Sequence, residues 1–267
     1  MKREILDRDS RRTGARRFLT AGSIATAILI LAAFSTLISL GNWQVRRLHW
    51  KEGLLAKIAE RMHAPAIALS QVEARNAAGK DIEYTHLTVG GTFDNSRERH
   101  FLATFHGSSG FFVYTPLRTD GGEVLFVNRG FVPYDLKSPA KRPDSLPKGH
   151  VVLTGLARDA PPEKPSSMVP DNDVAGNIFY WKDLKTMASS TGLSGARLVP
   201  FFVDADRMPG PPRLPIGGVT VVDLPNDHLQ YAITWYGLAL VLVLVTGTAV
   251  WRRLRRPGED AAGEDRS

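Results

Sequence analysis

His228 opens an apolar run. It stands in NDHLQYAITWYGLALVLVLV, which begins at Asn226 and carries no charge from Leu229 to Trp251. Burial in lipid does not call for an imidazole at that point, whereas a neutral ring nitrogen is a ready ligand for a transition metal. Helical spacing sets Tyr231, Ala232 and Trp235 on the His228 face. One nitrogen donor would therefore stand beside a flat aromatic surface, which suits a planar ligand. An interfacial histidine beside membrane-belt aromatics, with nothing bound, fits the same pattern.

Arg129, in FVNRGF, is the second residue of interest. A guanidinium within an apolar strand normally has a partner, so a structural salt bridge is the first reading, and its planar donors also suit recognition of a carboxylate. His100 and His106 lie close in sequence, yet no HExxH or comparable metal-ligand spacing surrounds them. They read as ordinary strand and turn histidines. No phosphate loop and no strand-linked GxGxxG occur, and FHGSSGF around Ser108 lacks the nucleophile-elbow pattern. The chain carries no recognised catalytic motif and is read as a non-enzyme.

These residues must be held by elements that the hydropathy pattern announces. The 267-residue chain has two stretches free of ionisable side chains, Phe18–Leu40 and Leu229–Trp251. Each is long enough as a helix to cross a hydrocarbon core of about 30 Å. The first exceeds the apolar core of about 7–15 residues found in a signal peptide and runs on into a Trp-rich amphipathic stretch, so it reads as a retained anchor. Lys2, Arg3, Arg8, Arg11, Arg12, Arg16 and Arg17 precede it, and Arg252, Arg253, Arg255 and Arg256 follow the second span. The positive-inside rule then puts both termini in the cytoplasm.

The expected organisation is a basic cytoplasmic segment over residues 1–17, a membrane helix over 18–40, a periplasmic α+β domain over 41–228, a second membrane helix over 229–251 and a cytoplasmic tail over 252–267. The formal net charge of +7 reflects this topology rather than nucleic-acid binding. Cysteine is absent, which excludes thiol redox chemistry and thiolate metal relay. Glu4, Asp7 and Asp9 disfavour a mitochondrial transit peptide, so a bacterial inner membrane, crossed twice, is expected. A two-span sensor would need a cytoplasmic output domain, and neither flank offers one.

Past Leu40, GNWQVRRLHWKEGLLAKIAERM places Trp43, Arg47, Trp50, Leu54 and Ile58 at helical spacing, which predicts a helix continuing beyond the membrane. Small residues Ala21, Gly22, Ala25, Ala32 and Ala33 in the first span fit either a face for close helix packing or ordinary apolar filler. The period then changes to short aromatic and β-branched runs: Tyr84–Phe93, Arg99–Phe105, Gly110–Arg118, Glu123–Pro133 and His150–Arg158. They predict an antiparallel meander with Thr119–Gly122 as a hairpin turn. A helix is expected over WKDLKTMASSTG, stopping near Gly192, followed by strands in RLVPFFVDA and VTVVDLP. The acidic tail GEDAAGEDRS reads as disordered. The fold class is thus an α+β membrane protein, two transmembrane helices flanking a β-rich, antiparallel domain.

Asn226 or Asp227 is placed to cap the second helix, with His228 in its first turn. The positive end of the helix dipole disfavours an imidazolium there, and a neutral imidazole is what haem iron coordination requires.

LGNWQVRRLHWK, GTFDNSRERHF, VLFVNRGFVP, PIGG and NDHLQYAITWYGLA, in that order and spanning about Leu40 to Ala239, resemble the Surfeit locus protein 1 family. The resemblance implies an inner-membrane assembly factor for haem-copper cytochrome c oxidase. Such a protein would bind haem A and help deliver it to oxidase subunit I, with haem A synthase and membrane lipid as its other partners. The family's proposed iron ligand matches His228, and the tryptophan seven residues on matches Trp235. Tyr231 is then expected to pack on the macrocycle, with Arg129 as a propionate partner. A membrane-anchored scaffold that holds an assembly intermediate without binding haem is the alternative. The chain departs from the family at Asn95, where relatives often have histidine, and at Lys182, where an aromatic is common.

Overall fold

The computed structural model describes residues 21–208, 213–220, 222 and 225–255. The expected N-terminal segment 1–17, the first residues of the first span and the acidic tail lie outside them. The elements in chain order are α1 (Ala21–His63), β1 (Ile67–Ala68), α2 (Leu69–Ala77), β2 (His86–Phe93), β3 (Arg99–Phe105), β4 (Ser108–Thr119), β5 (Val124–Pro133), β6 (His150–Asp159), α3 (Leu184–Ser190), β7 (Leu198–Ala205) and α4 (His228–Arg255). They form two compact units, one from residues 1–55 and 224–267, the other from residues 56–223.

In the helical unit, α1 and α4 are both long and apolar enough to cross a membrane. Their apolar side chains, among them Ile28, Leu29, Leu240 and Leu244, face outward rather than into a core. The expected continuation of the first helix is present. α1 runs unbroken to His63, ending where Pro65 supplies no N–H and restricts Ala64. Arg252, Arg253 and Arg255 close α4, where cations oppose the negative end of the dipole.

The two helices do not meet at the small residues of the first span. Ala21, Gly22, Ala25, Ala32 and Ala33 are exposed. The contact lies further along, where Gly41 and Gln44 of α1 and Ala232 and Ala239 of α4 are buried. A Cβ at Gly41 would fall 2.6 Å from the Tyr236 ring, so only glycine admits that approach. Beside it the Tyr236 hydroxyl donates to Asn42 Oδ1 at 2.8 Å.

The other unit is a sheet that closes on itself. Its order is β1-β2-β6-β7-β5-β4-β3, with an added pairing of β2 with β4. That pairing joins Gly91 to Thr119 and Phe93 to Leu117, completing a five-stranded ring of β2, β6, β7, β5 and β4. Alternation along β5 supplies both cores. Leu125 and Val127 enter the ring interior with Leu87, Leu117 and Val203, beneath Leu69 and Val72 of α2. Val124 and Phe126 point the other way, into a second cluster with Met187 and Ala188 of α3. Each such buried Val, Leu, Phe or Met side chain stabilises the fold by about 1.5–3 kcal/mol.

Two expectations are corrected. The sheet is not wholly antiparallel, because β7 inserts between β5 and β6 and runs parallel to β5. Nor do the described residues of VTVVDLP form a strand. Thr220 instead turns its hydroxyl to Asp204 Oδ2 at 2.7 Å. The hairpin over Thr119–Gly122 is present, with Gly122 at positive φ. α3 ends as expected, with Gly192 at φ +71 just beyond it.

Candidate functional site

α4 begins at His228, one turn before Ala232 turns into the contact with α1. The first intrahelical bond runs from Tyr231 N–H to the Asp227 carbonyl, so the backbone of Asp227 starts the ladder. Asn226 does not cap it, since its Oδ1 is buried without a hydrogen bond. His228 is half-buried. Its Nδ1 lies 2.7 Å from Oε1 of Gln44, a residue only 8% exposed on the facing side of α1. An amide oxygen only accepts, so Nδ1 carries the proton and donates. In the neutral ring the lone pair is then on Nε2, for which no hydrogen-bond partner is found among the described residues.

Trp235 is half-buried and Tyr231 is 55% exposed, both one or two turns below His228 on the same helix. α4 thus carries all three on one helix, three and seven residues apart from His228. Sequence reasoning overlooked Gln44, although it lies inside the quoted motif GNWQVRR. Its one available signal was a neutral polar side chain one residue after Trp43, in a stretch where cations take the exposed positions.

The donor set is that of a single nitrogen ligand. Among the described residues no group of three or more His, Asp or Glu side chains could hold a metal ion. An imidazole with Nδ1–H held by Gln44, on one helix with Tyr231 and Trp235, fits a metal that brings its own macrocycle.

Arg129 belongs to the sheet unit. Among the described residues it forms no salt bridge, contrary to the first reading. Its guanidinium donates to the Ser145 carbonyl and, at 3.4 Å, to Asn95 Oδ1, and lies 5.2 Å from the Phe93 ring centre. Burial pulls it down to about 10, partly opposed by the nearby charge of Glu98, while Arg142 pushes the same way as burial. The carboxylate of that region is already taken. Glu98 Oε1 accepts from Arg142 and from Nε2 of His100, which is 3.0 Å away. Asn177 donates to the other ring nitrogen of His100 at 3.0 Å. His100 is thus a satisfied core histidine on β3, while His106 sits in the β3–β4 turn at φ 48.

Comparison with known proteins agrees with the motifs. The model of the SURF1 family matches residues 31–240. Surfeit locus protein 1 of Rattus norvegicus is 38% identical over 220 residues, covering 76% of this chain and 69% of that protein. Its counterparts in Gallus gallus and Homo sapiens are each 36% identical over 76% of this chain, covering 68% and 70% of their own lengths. With a family model spanning residues 31–240 and relatives 36–38% identical over 76% of its length, the chain belongs to the SURF1 family.

Proposed function

We propose that this protein is a membrane-anchored assembly factor for haem-copper cytochrome c oxidase, which binds haem A through His228 and helps deliver it to oxidase subunit I. The observation that carries this reading is the state of the His228 ring, with Nδ1–H engaged by Gln44 and Nε2 without a partner among the described residues. Haem A would supply the iron that accepts this nitrogen. Tyr231 and Trp235 would flank the ring and exclude water from one side of it. A carrier must also release its cargo, and one exchangeable protein ligand favours release over a closed two-histidine site. Arg129, a half-buried cation without a carboxylate contact among the described residues, is the residue of the sheet unit proposed to take a carboxylate. Haem A synthase is the proposed donor and membrane lipid the surroundings, in a bacterial inner membrane with both termini cytoplasmic.

The test is an absorption spectrum of the detergent-purified protein from cells that make haem A, beside its His228→Ala variant. A stoichiometric haem A spectrum that vanishes in a variant still inserted in the membrane supports the reading. A colourless wild type, or a variant that keeps its haem, overturns it and leaves the scaffold alternative. In that case surface changes on the sheet unit, not His228→Ala, would abolish oxidase assembly.

A further inference from the structure

We infer that Gln44 is a positioning residue that fixes the proton of His228 on Nδ1 and so decides which ring nitrogen is offered to a ligand. Free imidazole side chains favour the opposite tautomer, with the proton on Nε2. An acceptor must therefore be held at Nδ1 to reverse that preference, and Gln44 Oε1 is 2.7 Å away. The acceptor is not a mobile surface group, since Gln44 is 8% exposed.

Its position follows from the residues just before it. Gly41 lets α1 approach the Tyr236 ring, and Asn42 accepts the Tyr236 hydroxyl. Together they fix α1 against α4 one turn from Gln44. The stretch GNWQ thus reads as a support: an approach, a clasp and an acceptor. A hydrogen bond to the remote ring nitrogen both orients a histidine ligand and raises its basicity.

The inference rests on the proposed function only for its purpose. The tautomer itself is measurable without haem, so the two can fail separately. The experiment is nitrogen NMR of histidine-labelled, haem-free, full-length protein in micelles, with the His228 signals identified by their loss in His228→Ala. The wild type is expected to show a protonated Nδ1 and an unprotonated Nε2. Gln44→Leu, similar in size but without an acceptor, is expected to move the proton to Nε2. Gln44→Glu is expected to keep it on Nδ1.

In haem A titrations, Gln44→Leu should then bind roughly 10- to 100-fold more weakly. Gln44→Glu should restore binding and lower the midpoint potential, which a merely structural hydrogen bond would not do. A wild-type proton on Nε2, or a tautomer unchanged in Gln44→Leu, overturns the inference. So does a Gln44→Glu variant with the wild-type potential. If Gln44→Leu fails to fold, the wild-type signal and Gln44→Glu still decide it. A protein with the proton on Nδ1 that takes up no haem would leave this inference standing and remove the proposed function.

Discussion

Gly130 and Ile216 touch through their backbones. A Cβ at Gly130 would lie 2.0 Å from the Ile216 carbonyl oxygen, and Gly130 has φ +119. The next residue, Phe131, exchanges two hydrogen bonds with Ile216, at 3.0 and 2.8 Å. The motifs FVNRGF and PIGG, which are far apart in the chain, are therefore two sides of one contact. Gly130→Ala combines backbone strain with overpacking and is expected to destabilise the sheet unit by roughly 2–6 kcal/mol. Denaturant unfolding of the full chain reads this, and a change below about 1 kcal/mol would show that the Ile216 segment yields freely.

The Glu98–Arg142 pair is almost wholly buried, with side chains 3% and 2% exposed. Glu98→Gln leaves the Arg142 charge without its counterion, and is expected to cost about 3–5 kcal/mol. Asp94→Asn offers the contrast. Its pair with Arg97 is exposed on both sides, and its loss should cost less than about 1 kcal/mol. Equal effects of the two substitutions in a thermal unfolding series would contradict the burial argument.

His86 supplies a pH dependence. Its Nε2 is 2.8 Å from Asp206 Oδ2 and its Nδ1 is 3.0 Å from the Ala64 carbonyl, so both ring nitrogens face acceptors. Burial alone would lower its pKa, but the hydrogen bonds to Asp206 and Ala64, with the Asp206 charge, outweigh it and raise it. A raised folded value means the stabilisation is complete below the unfolded value of about 6.5 and is lost as pH rises through the folded one. The stability gap between wild type and His86→Ala should accordingly be widest near pH 5.5 and shrink towards pH 9. A gap independent of pH would exclude the doubly donating ring.

The contact between Gly41 and Tyr236 predicts a graded series. Gly41→Ala is expected to weaken α1–α4 packing by about 1–3 kcal/mol, because the Tyr236 ring is held by Asn42 and cannot simply swing away. Asn42→Ala removes only the interhelical hydrogen bond and should cost about 0.6 kcal/mol. Thermal unfolding in detergent ranks them, and the reverse order would place the weight on the hydrogen bond.

Composition made β3 legible to its observed ends, because Arg99–Phe105 is a short aromatic-rich run bounded by polar turn residues. It could not show that Gly91 pairs with Thr119, or that β7 slips between β5 and β6, since alternation sets the face of a strand and not its neighbour. VTVVDLP misled for a related reason. Its composition suits a strand, but Thr220 is taken by Asp204. α2 was missed because only Leu69 and Val72 of its nine residues are buried and Ala68 provides no side-chain cap. At the site, His228 stood out because an imidazole at the head of an apolar run is unusual in itself. Gln44 did not, since its meaning comes from a partner 184 residues away.

The closed ring also sets an order of events during synthesis. β5 and β6 have no mutual pairing in the sheet order, and β7 fills the place between them, the other way round the ring running through β4 and β2. Until residues 198–205 leave the ribosome, the ring has an open slot flanked by two unpaired strand edges. Those edges must stay apart for the time needed to make the long connection after β6, and wrong pairing there is the fold's main kinetic hazard. α4 follows soon after β7 in the chain, so ring closure and synthesis of the His228 helix fall close together in time.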